Sequence, residues 1–215
     1  MSDSLTTLQD KLQALMMDDG TLFPDATCTA ALRQALRTFN SLLPRTGATT
    51  IDVVSGQLVY ELTEALASAT VLNITGIYLE DPTGGDNDTP LQADVYVEDE
   101  RYFFRLKTAS GGTTMIVRYS CPHIINGLDS EVLSTLSTFQ EPTLLDAAAA
   151  TLARMAAAGT VESNNLDPRT SQNYALAADH FQKAFDFGIA GLKMQRTPAQ
   201  RIPAARTWQD PWHTY

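Results

Sequence analysis

Apolar side chains in the first 45 residues recur every three or four positions, the period of one face of an α-helix. The first run predicts an amphipathic helix over residues 4–17, ended by Asp-Asp-Gly at 18–20. The second predicts a helix that Asp25 or Thr27 caps and Pro44 ends, because proline cannot continue a helix. The apolar face of this second helix consists of Cys28, Leu32, Ala35, Leu36, Phe39 and Leu43. We expect the two helices to form a helical hairpin.

The pattern then changes to the alternation and β-branched composition typical of strands. The predicted strands cover residues 51–60, 71–80, 95–98, 102–107 and 113–120. Residues 81–90 are rich in Gly, Asp and Pro and predict a turn or loop. The last two strands, joined by a turn at 109–112, predict the clearest hairpin of the chain. This part of the chain is therefore expected to be an antiparallel β unit of four to six strands.

Helical periodicity returns after the β segment. An alanine-rich run over 143–158, opened by Pro142, predicts a third helix with Gly159 as its C-cap. Its many alanines allow the close packing that a buried central helix requires. Asp167 is expected to cap a fourth helix with Pro168 at its first position, where the missing N–H costs nothing. The apolar face of this helix consists of Tyr174, Ala177, Ala178, Phe181, Phe185, Gly188, Ile189 and Leu192.

These patterns predict an α+β fold that is mainly α. It is a helical bundle of about four helices with an inserted small antiparallel β unit and an extended C-terminal arm. A length of 215 residues fits one domain, or one domain carrying an insertion. The predicted parts are a first helical hairpin at 1–48, the β insertion at 49–122, the second half of the bundle at 123–195, and the arm at 196–215.

The arm lacks helical periodicity and holds three prolines, three arginines and both tryptophans of the chain. Arg and Trp are enriched at interface hot spots, and proline stiffens an extended segment so that it loses less entropy on docking. We predict that the arm docks on a neighbouring subunit or on a different protein. The alternative is a strap packed on its own body, with the tryptophans filling gaps in the core. The candidate partner-binding residues are Arg196, Arg201, Arg206, Trp208, Trp212 and Tyr215.

Charge is distributed unevenly along the chain. The formal net charge is −10, from 15 basic and 25 acidic residues. The arm holds three basic residues and one acidic residue, a charge of +2, which leaves 12 basic and 24 acidic residues and a charge of −12 for the rest. Tight binding to a nucleic-acid backbone needs clustered Lys and Arg. The body is therefore not expected to bind DNA tightly.

No set of residues predicts catalysis, a cofactor or a metal ion. His123, His180 and His213 form neither a catalytic order with Ser and Asp nor a zinc-binding pair. The aspartates at 81–88 lack the spacing of a calcium loop. The acidic clusters at 18–19 and 98–100 are interpreted as solvated faces.

The cysteines Cys28 and Cys121 lie far apart and outside any metal-binding spacing, so two buried, reduced thiols are favoured over a disulfide. Residues 1–10 lack the apolar stretch of a signal peptide, and no apolar run is long enough to span a membrane. A soluble protein made in a cytoplasm, without a membrane partner, is expected.

Three strings in the chain resemble the head-to-tail adaptor (connector, or neck) proteins of tailed bacteriophages. They are AALRQALRTFN at 30–40, RYSCPHIINGLD at 118–129, and EPTLLD at 141–146 followed by the alanine-rich run. Their order frames residues 20–195. The resemblance implies a helical bundle with a β insertion, assembled as a ring under the portal, typically with twelve subunits. The insertion is larger here than in the smallest members of the family.

The resemblance further implies a structural virion protein of the neck, between capsid and tail, made in the host cytoplasm. Such a ring extends the DNA channel, lets genomic DNA pass without specific binding, and provides the docking surface for the tail. Its partners would be the portal protein, tail or neck proteins, and further copies of itself. In some members a C-terminal extension grips the portal, and residues 196–215 are the matching segment here.

Two other functions remain open on the residues. One is another neck or tail-completion component that contacts the tail tube. The other, of a different class, is a ligand-binding module that uses the aromatic side chains of the β unit, although such alternation is more typical of core packing. Those aromatic side chains are Tyr60, Tyr78, Tyr96, Tyr102 and Phe104.

Overall fold

The computed structural model describes residues 3–18, 20–63, 66, 70–79, 90–99, 101–108, 114–128, 134–162 and 168–196. This part of the chain forms four α-helices and six β-strands, which confirms the predicted α+β class. The helices are α1 (Leu5–Leu15), α2 (Asp25–Leu42), α3 (Glu141–Glu162) and α4 (Pro168–Arg196). The strands are β1 (Arg45–Asp52), β2 (Val59–Glu61), β3 (Asn73–Leu79), β4 (Ala93–Glu98), β5 (Arg101–Leu106) and β6 (Thr114–Cys121).

Helix α1 is attached to the start of α2 by the side chain of Gln9. Its amide nitrogen donates to the carbonyl oxygen of Asp25 at 3.0 Å and to Thr29 Oγ1 at 2.8 Å. Gln13 adds a hydrogen bond to the carbonyl oxygen of Phe23 at 3.1 Å. These bonds hold the connection between the helices against the body.

The predicted apolar face of α2 is entirely buried, with Phe39 fully inaccessible to solvent. The prediction of Asp25 or Thr27 as the N-cap is wrong, because Pro24 occupies that position and Asp25 is the first helical residue. The carbonyl oxygen of Pro24 accepts the N–H groups of Thr27 and Cys28 at 2.8 and 3.1 Å, so the helix begins earlier than expected. The Asp25 carboxylate then lies in the first turn, where the helix dipole favours a negative charge.

Helix α3 is the centre of the helical part and packs against the other three helices. It continues through Gly159 to Glu162, so the prediction of Gly159 as a C-cap is wrong. Packing against the start of α4 outweighs the local signal, since Ser171 Oγ donates to the carbonyl oxygen of Ala157 at 3.1 Å beside this turn. The alanines in the first half of α3 are buried as predicted, and Ala148, Ala149, Ala150 and Ala153 are fully inaccessible, whereas Ala158 near the end of the helix is exposed.

Helix α4 lies antiparallel to α3 and buries the face that the sequence predicts. Pro168 is its first residue, whereas the predicted cap at 167 lies outside the described residues. The helices approach closely at Gly188, where a Cβ atom would lie 2.5 Å from Thr143 Oγ1. Every member of the predicted face is buried or half-buried, with Ala178, Phe185 and Ile189 the most buried.

The strands form two antiparallel three-stranded sheets, in the orders β1-β6-β3 and β2-β5-β4. The predicted hairpin of β5 with β6 is wrong, because these strands belong to different sheets. Instead β5 pairs with β4, with Glu98 facing Arg101, and Asp99 directly after β4 has a φ of 49°. The predicted loops at 81–89 and 109–112 lie outside the described residues.

The two sheets share one core, to which β5 contributes Phe104 and Leu106 and β6 contributes Met115 and Val117. These strands therefore pack face to face rather than edge to edge. Strand β1 begins at Arg45, earlier than the expected residue 51, in a stretch without apolar alternation. The stretch pairs with β6 through its backbone, and the ring of Tyr119 lies over Gly47.

The molecule therefore has a helical body (α1–α4) and a β unit (β1–β6), each with its own buried core. The chain enters the β unit at Arg45 and leaves it at Cys121, which are paired neighbours on β1 and β6. The two connections to the helical body are joined beside this pair. The side-chain amide of Asn40 donates to the carbonyl oxygen of His123 at 3.1 Å and accepts a hydrogen bond from the backbone N–H of His123 at 2.7 Å.

Both cysteines are buried free thiols, as the sequence predicts. Burial raises the pKa of the Cys28 thiol, whose sulfur donates to the carbonyl oxygen of Phe23 at 3.4 Å. In the part of the chain that the structure describes, no helix is long and apolar enough to cross a membrane.

Candidate interaction surface

The structure places one of the six predicted partner-binding residues. Arg196 is the last residue of α4. The other five lie outside the described residues; they are Arg201, Arg206, Trp208, Trp212 and Tyr215. It does show that α4 leads directly into the arm.

The outward face of α4 carries a second regular stripe, which we call the outer stripe: Leu176, His180, Lys183, Phe187, Ala190 and Met194. Successive members are four, three, four, three and four residues apart. At about 100° per residue, the whole stripe stays within about 40° of one line along the helix. This is the spacing at which helices pack side by side.

The apolar members of the outer stripe are strongly exposed in the single chain. Leu176 is 68% exposed, Phe187 82% and Met194 77%. Isolated exposed apolar residues are ordinary, but Phe187, Ala190 and Met194 are consecutive exposed apolar positions along one line of the helix, which is typical of an interaction surface. The sequence prediction identified only the inner face of α4. The signal was present in the same helical period, read from the opposite side.

A groove of about 460 Å³ lies between α1 and the start of α3; we call it the α1–α3 groove. Its apolar lining comes from Ala14, Leu15, Pro142 and Leu145. Its charged and polar lining consists of Asp3, Lys11, Thr138, Glu141 and Asp146.

A buried carboxylate holds one wall of the groove together. Glu141 is only 3% exposed, and its Oε1 accepts the backbone N–H of Asp3 at 3.0 Å while Oε2 accepts from Lys11 Nζ at 3.3 Å. Lys11 also pairs with the Asp3 carboxylate. The hydrogen bond to Asp3 is the main cause that raises the pKa of Lys11, and the bond to Glu141 adds to it, whereas partial burial opposes the rise.

Asp146 differs from Glu141 because it receives no hydrogen bond from the described residues. Burial raises the pKa of the Asp146 carboxyl, and the nearby His180 of the outer stripe opposes that rise. The groove and the outer stripe are therefore linked electrostatically through this pair of residues.

A carboxyl with a raised pKa in a groove is a candidate general acid. Catalysis by Asp146 would need a nucleophile or a second available acid or base beside it. Glu141 is occupied by its two donors. Among the described residues, no group of three or more His, Cys, Asp or Glu could hold a metal ion. The groove therefore offers contacts for binding.

Two further sets of residues from the sequence have structural positions. His123 is 3% exposed, contacts the edge of the Phe39 ring and exchanges backbone hydrogen bonds with Asn40. Of the aromatic residues considered for ligand binding, Tyr60 and Phe104 stack on each other at 5.1 Å in the buried β core. These two rings are therefore packing residues.

Comparisons with protein families and with curated proteins find no match. Among solved structures, a chain of the neck of an empty gene transfer agent (GTA) particle matches at 15% identity and a TM-score of 0.28, covering 67% of this chain and 74% of its own. A chain of the virion of a native GTA particle matches at 15% identity and 0.29, covering 82% and 87%. A chain of the native GTA neck matches at 12% and 0.29, covering 81% and 91%.

Proposed function

We propose that this chain is a head-to-tail adaptor, a structural, non-enzymatic protein of a phage-type virion neck that forms a ring under the portal. The observation that carries the proposal is the outer stripe of α4, an exposed row that is apolar except for His180 and Lys183 and that leads directly into the Arg- and Trp-rich arm. The sequence resemblance to adaptor proteins supports the same role. The ring would extend the DNA channel and present the docking surface for the tail.

The outer stripe is proposed as the contact between neighbouring copies. A ring of identical subunits is built from head-to-tail contacts, in which one face of a subunit meets a different face of the next. Burying a large apolar side chain stabilises a contact by roughly 1.5–3 kcal/mol. Leu176, Phe187 and Met194 would each contribute on this scale, and we expect twelve subunits as in the resembled family.

The arm is proposed to contact the portal protein or a neighbouring subunit through the residues named above. The strongly acidic body, with a charge of −12, would keep the channel from holding a moving duplex. Genomic DNA would therefore pass without specific binding.

Co-sedimentation with purified portal rings, followed by negative-stain imaging of the pellet, tests the proposal. We expect a ring stacked on one end of the portal. No binding, with the protein remaining monomeric, would contradict the adaptor role and favour a neck component that contacts the tail tube.

Charge substitutions on α4 test the contact between copies in the same assay. Phe187→Lys is expected to abolish ring formation because it buries an unpaired charge in the contact. Ala175→Lys is the matched control, since it adds the same charge at an exposed position of α4 outside the outer stripe. Equal loss of rings in both variants would exclude the outer stripe as the contact.

A further inference from the structure

The α1–α3 groove lies at the end of the helical body from which the arm emerges. Thr143 of α3 contacts Gly188 of α4, while Ala157 bonds to Ser171 at the opposite end, so the helices are antiparallel. From Gly188 to Arg196 the helix advances about 12 Å. This carries the start of the arm past the beginning of α3, whose first turn lines the groove.

The groove complements the arm in charge. Asp3, Glu141 and Asp146 against Lys11 give its lining a formal charge of −2. The part of the arm beyond α4, residues 197–215, carries a charge of +1 from Arg201 and Arg206 against Asp210. Glu141 already has its donors, but Asp146 has no hydrogen bond or ion pair within the described part of the chain. A guanidinium is the donor that suits such a carboxylate best, since it can bond to both oxygens.

The groove also complements the arm in shape and apolar surface. Its volume of about 460 Å³ is in the range of pockets that bury small-molecule ligands, roughly 300–1,000 Å³. The floor of Leu15 and Leu145 is apolar, and Leu15 remains 38% exposed in the described structure. An indole ring has the flat apolar surface that would cover it.

The arm is long enough to return to the groove of its own chain. At about 3.3 Å per extended residue, Arg201 can lie up to about 17 Å from the end of α4, Arg206 up to about 33 Å and Trp208 up to about 40 Å. These lengths exceed the about 12 Å by which α4 passes Thr143, so an extended arm can turn back. Reaching the same groove on another copy would require that copy to be positioned first.

We propose that the arm, residues 197–215, docks in the α1–α3 groove of its own chain, with an arginine on Asp146 and a tryptophan on the apolar floor. In the free subunit the docked arm thereby covers the exposed apolar surface of the groove. This inference stands apart from the adaptor role, because it concerns the isolated chain and would hold for any function of the assembled protein.

Tryptophan fluorescence tests the inference directly. The chain has two tryptophans, Trp208 and Trp212, and both lie in the arm, so the emission reports on the arm alone. In the full-length protein at low concentration we expect blue-shifted emission that acrylamide quenches weakly. Asp146→Arg should shift the emission to that of exposed indole, because losing a charge-assisted hydrogen bond lowers the docked-to-free ratio about tenfold or more.

Matched variants separate docking from folding. Asp10→Arg makes the same change at an exposed position of α1 outside the groove and should leave the emission unchanged. Asp146→Asn is a milder variant that should shift the emission in the same direction, even if Asp146→Arg fails to fold by circular dichroism. Asp146→Arg is also combined with Arg201→Asp or with Arg206→Asp. The blue shift should return only in the double variant that reverses the arginine bonded to Asp146.

Three results would overturn the inference. One is emission of fully exposed tryptophan in the unaltered protein. Another is that tryptophan emission and acrylamide quenching do not differ among the unaltered protein, the Asp146→Asn variant and the Asp10→Arg variant. The third is a blue shift that grows with protein concentration, because this would assign the groove to the arm of a second copy.

Discussion

The helical body and the β unit both use glycines for close packing, but different side chains contact those glycines in the two parts. In the body, α3 and α4 approach where side chains are small, and Gly188 leaves room for Thr143. In the β unit, rings occupy the space over glycines, with Tyr119 lying over Gly47 and Tyr78 over Gly76. Close packing in the body therefore depends on the missing side chain of a glycine, whereas in the β unit aromatic rings fill the space that the glycines leave.

The separate cores predict that each part can be damaged alone. Phe39→Ala in the body and Phe104→Ala in the β unit should each lower the free energy of unfolding by about 3–5 kcal/mol, because both rings are fully buried. Hydrogen exchange should show lost amide protection confined to the part that carries the substitution. Loss of protection throughout the molecule in both variants would contradict the separation of the two cores.

The buried carboxylate of the body predicts the next effect. Glu141→Ala should cost about 1.5–3 kcal/mol, because it removes the acceptor for the Asp3 N–H and for Lys11. Chemical denaturation measures the loss, and hydrogen exchange should place it at α1 and the start of α3. An equal loss of protection in the β unit would show that the parts are coupled more tightly than their contacts indicate.

The close approach of α3 and α4 predicts opposite signs for two similar substitutions. Gly188→Ala should destabilise by about 1–3 kcal/mol, because its Cβ would lie 2.5 Å from the buried Thr143. Gly191→Ala on the same helix meets nothing within 4 Å and should stabilise by roughly 1 kcal/mol. Thermal unfolding of both variants compares them, and stabilisation by Gly188→Ala would refute the tight contact.

The smallest effect concerns pH. The pKa of Lys11 is raised above its ordinary 10.5, so its ion pairs stabilise the fold fully below pH 10.5 and less as the pH rises through the raised value. Lys11→Met should remove that alkaline dependence and cost less than about 1 kcal/mol at neutral pH, since Lys11 is partly exposed.

The exposed pair of Arg101 with Glu61, at 3.6 Å in the β unit, provides the control. Arg101→Met should leave the stability in the alkaline range almost unchanged. An alkaline loss that persists in Lys11→Met would assign it to other groups.

The sequence predicts the helices well because their apolar period is long and unbroken. All eight residues assigned to the inner face of α4 are at least half-buried. It fails for the partners of β5 and β6, because alternation identifies a strand but not the strand beside it. It also fails at Gly159, where contact with α4 carries the helix past a residue that usually ends one.

The interaction surfaces likewise differ in how far the sequence predicts them. Composition alone points to the arm, and the outer stripe is present in the period of α4. The α1–α3 groove could not be predicted, because its two sides come from distant parts of the sequence: Glu141 bonds to Asp3 and Lys11, which lie 138 and 130 residues before it.

The paired positions Arg45 and Cys121 have a consequence for how such a chain can change over generations. Because the β unit starts and finishes at neighbouring points, strands or loops can be gained or lost inside it without displacing α2 or α3. A short turn from Leu43 to Pro122 could even replace it. The helices are thus free to remain constant while the inserted part diversifies.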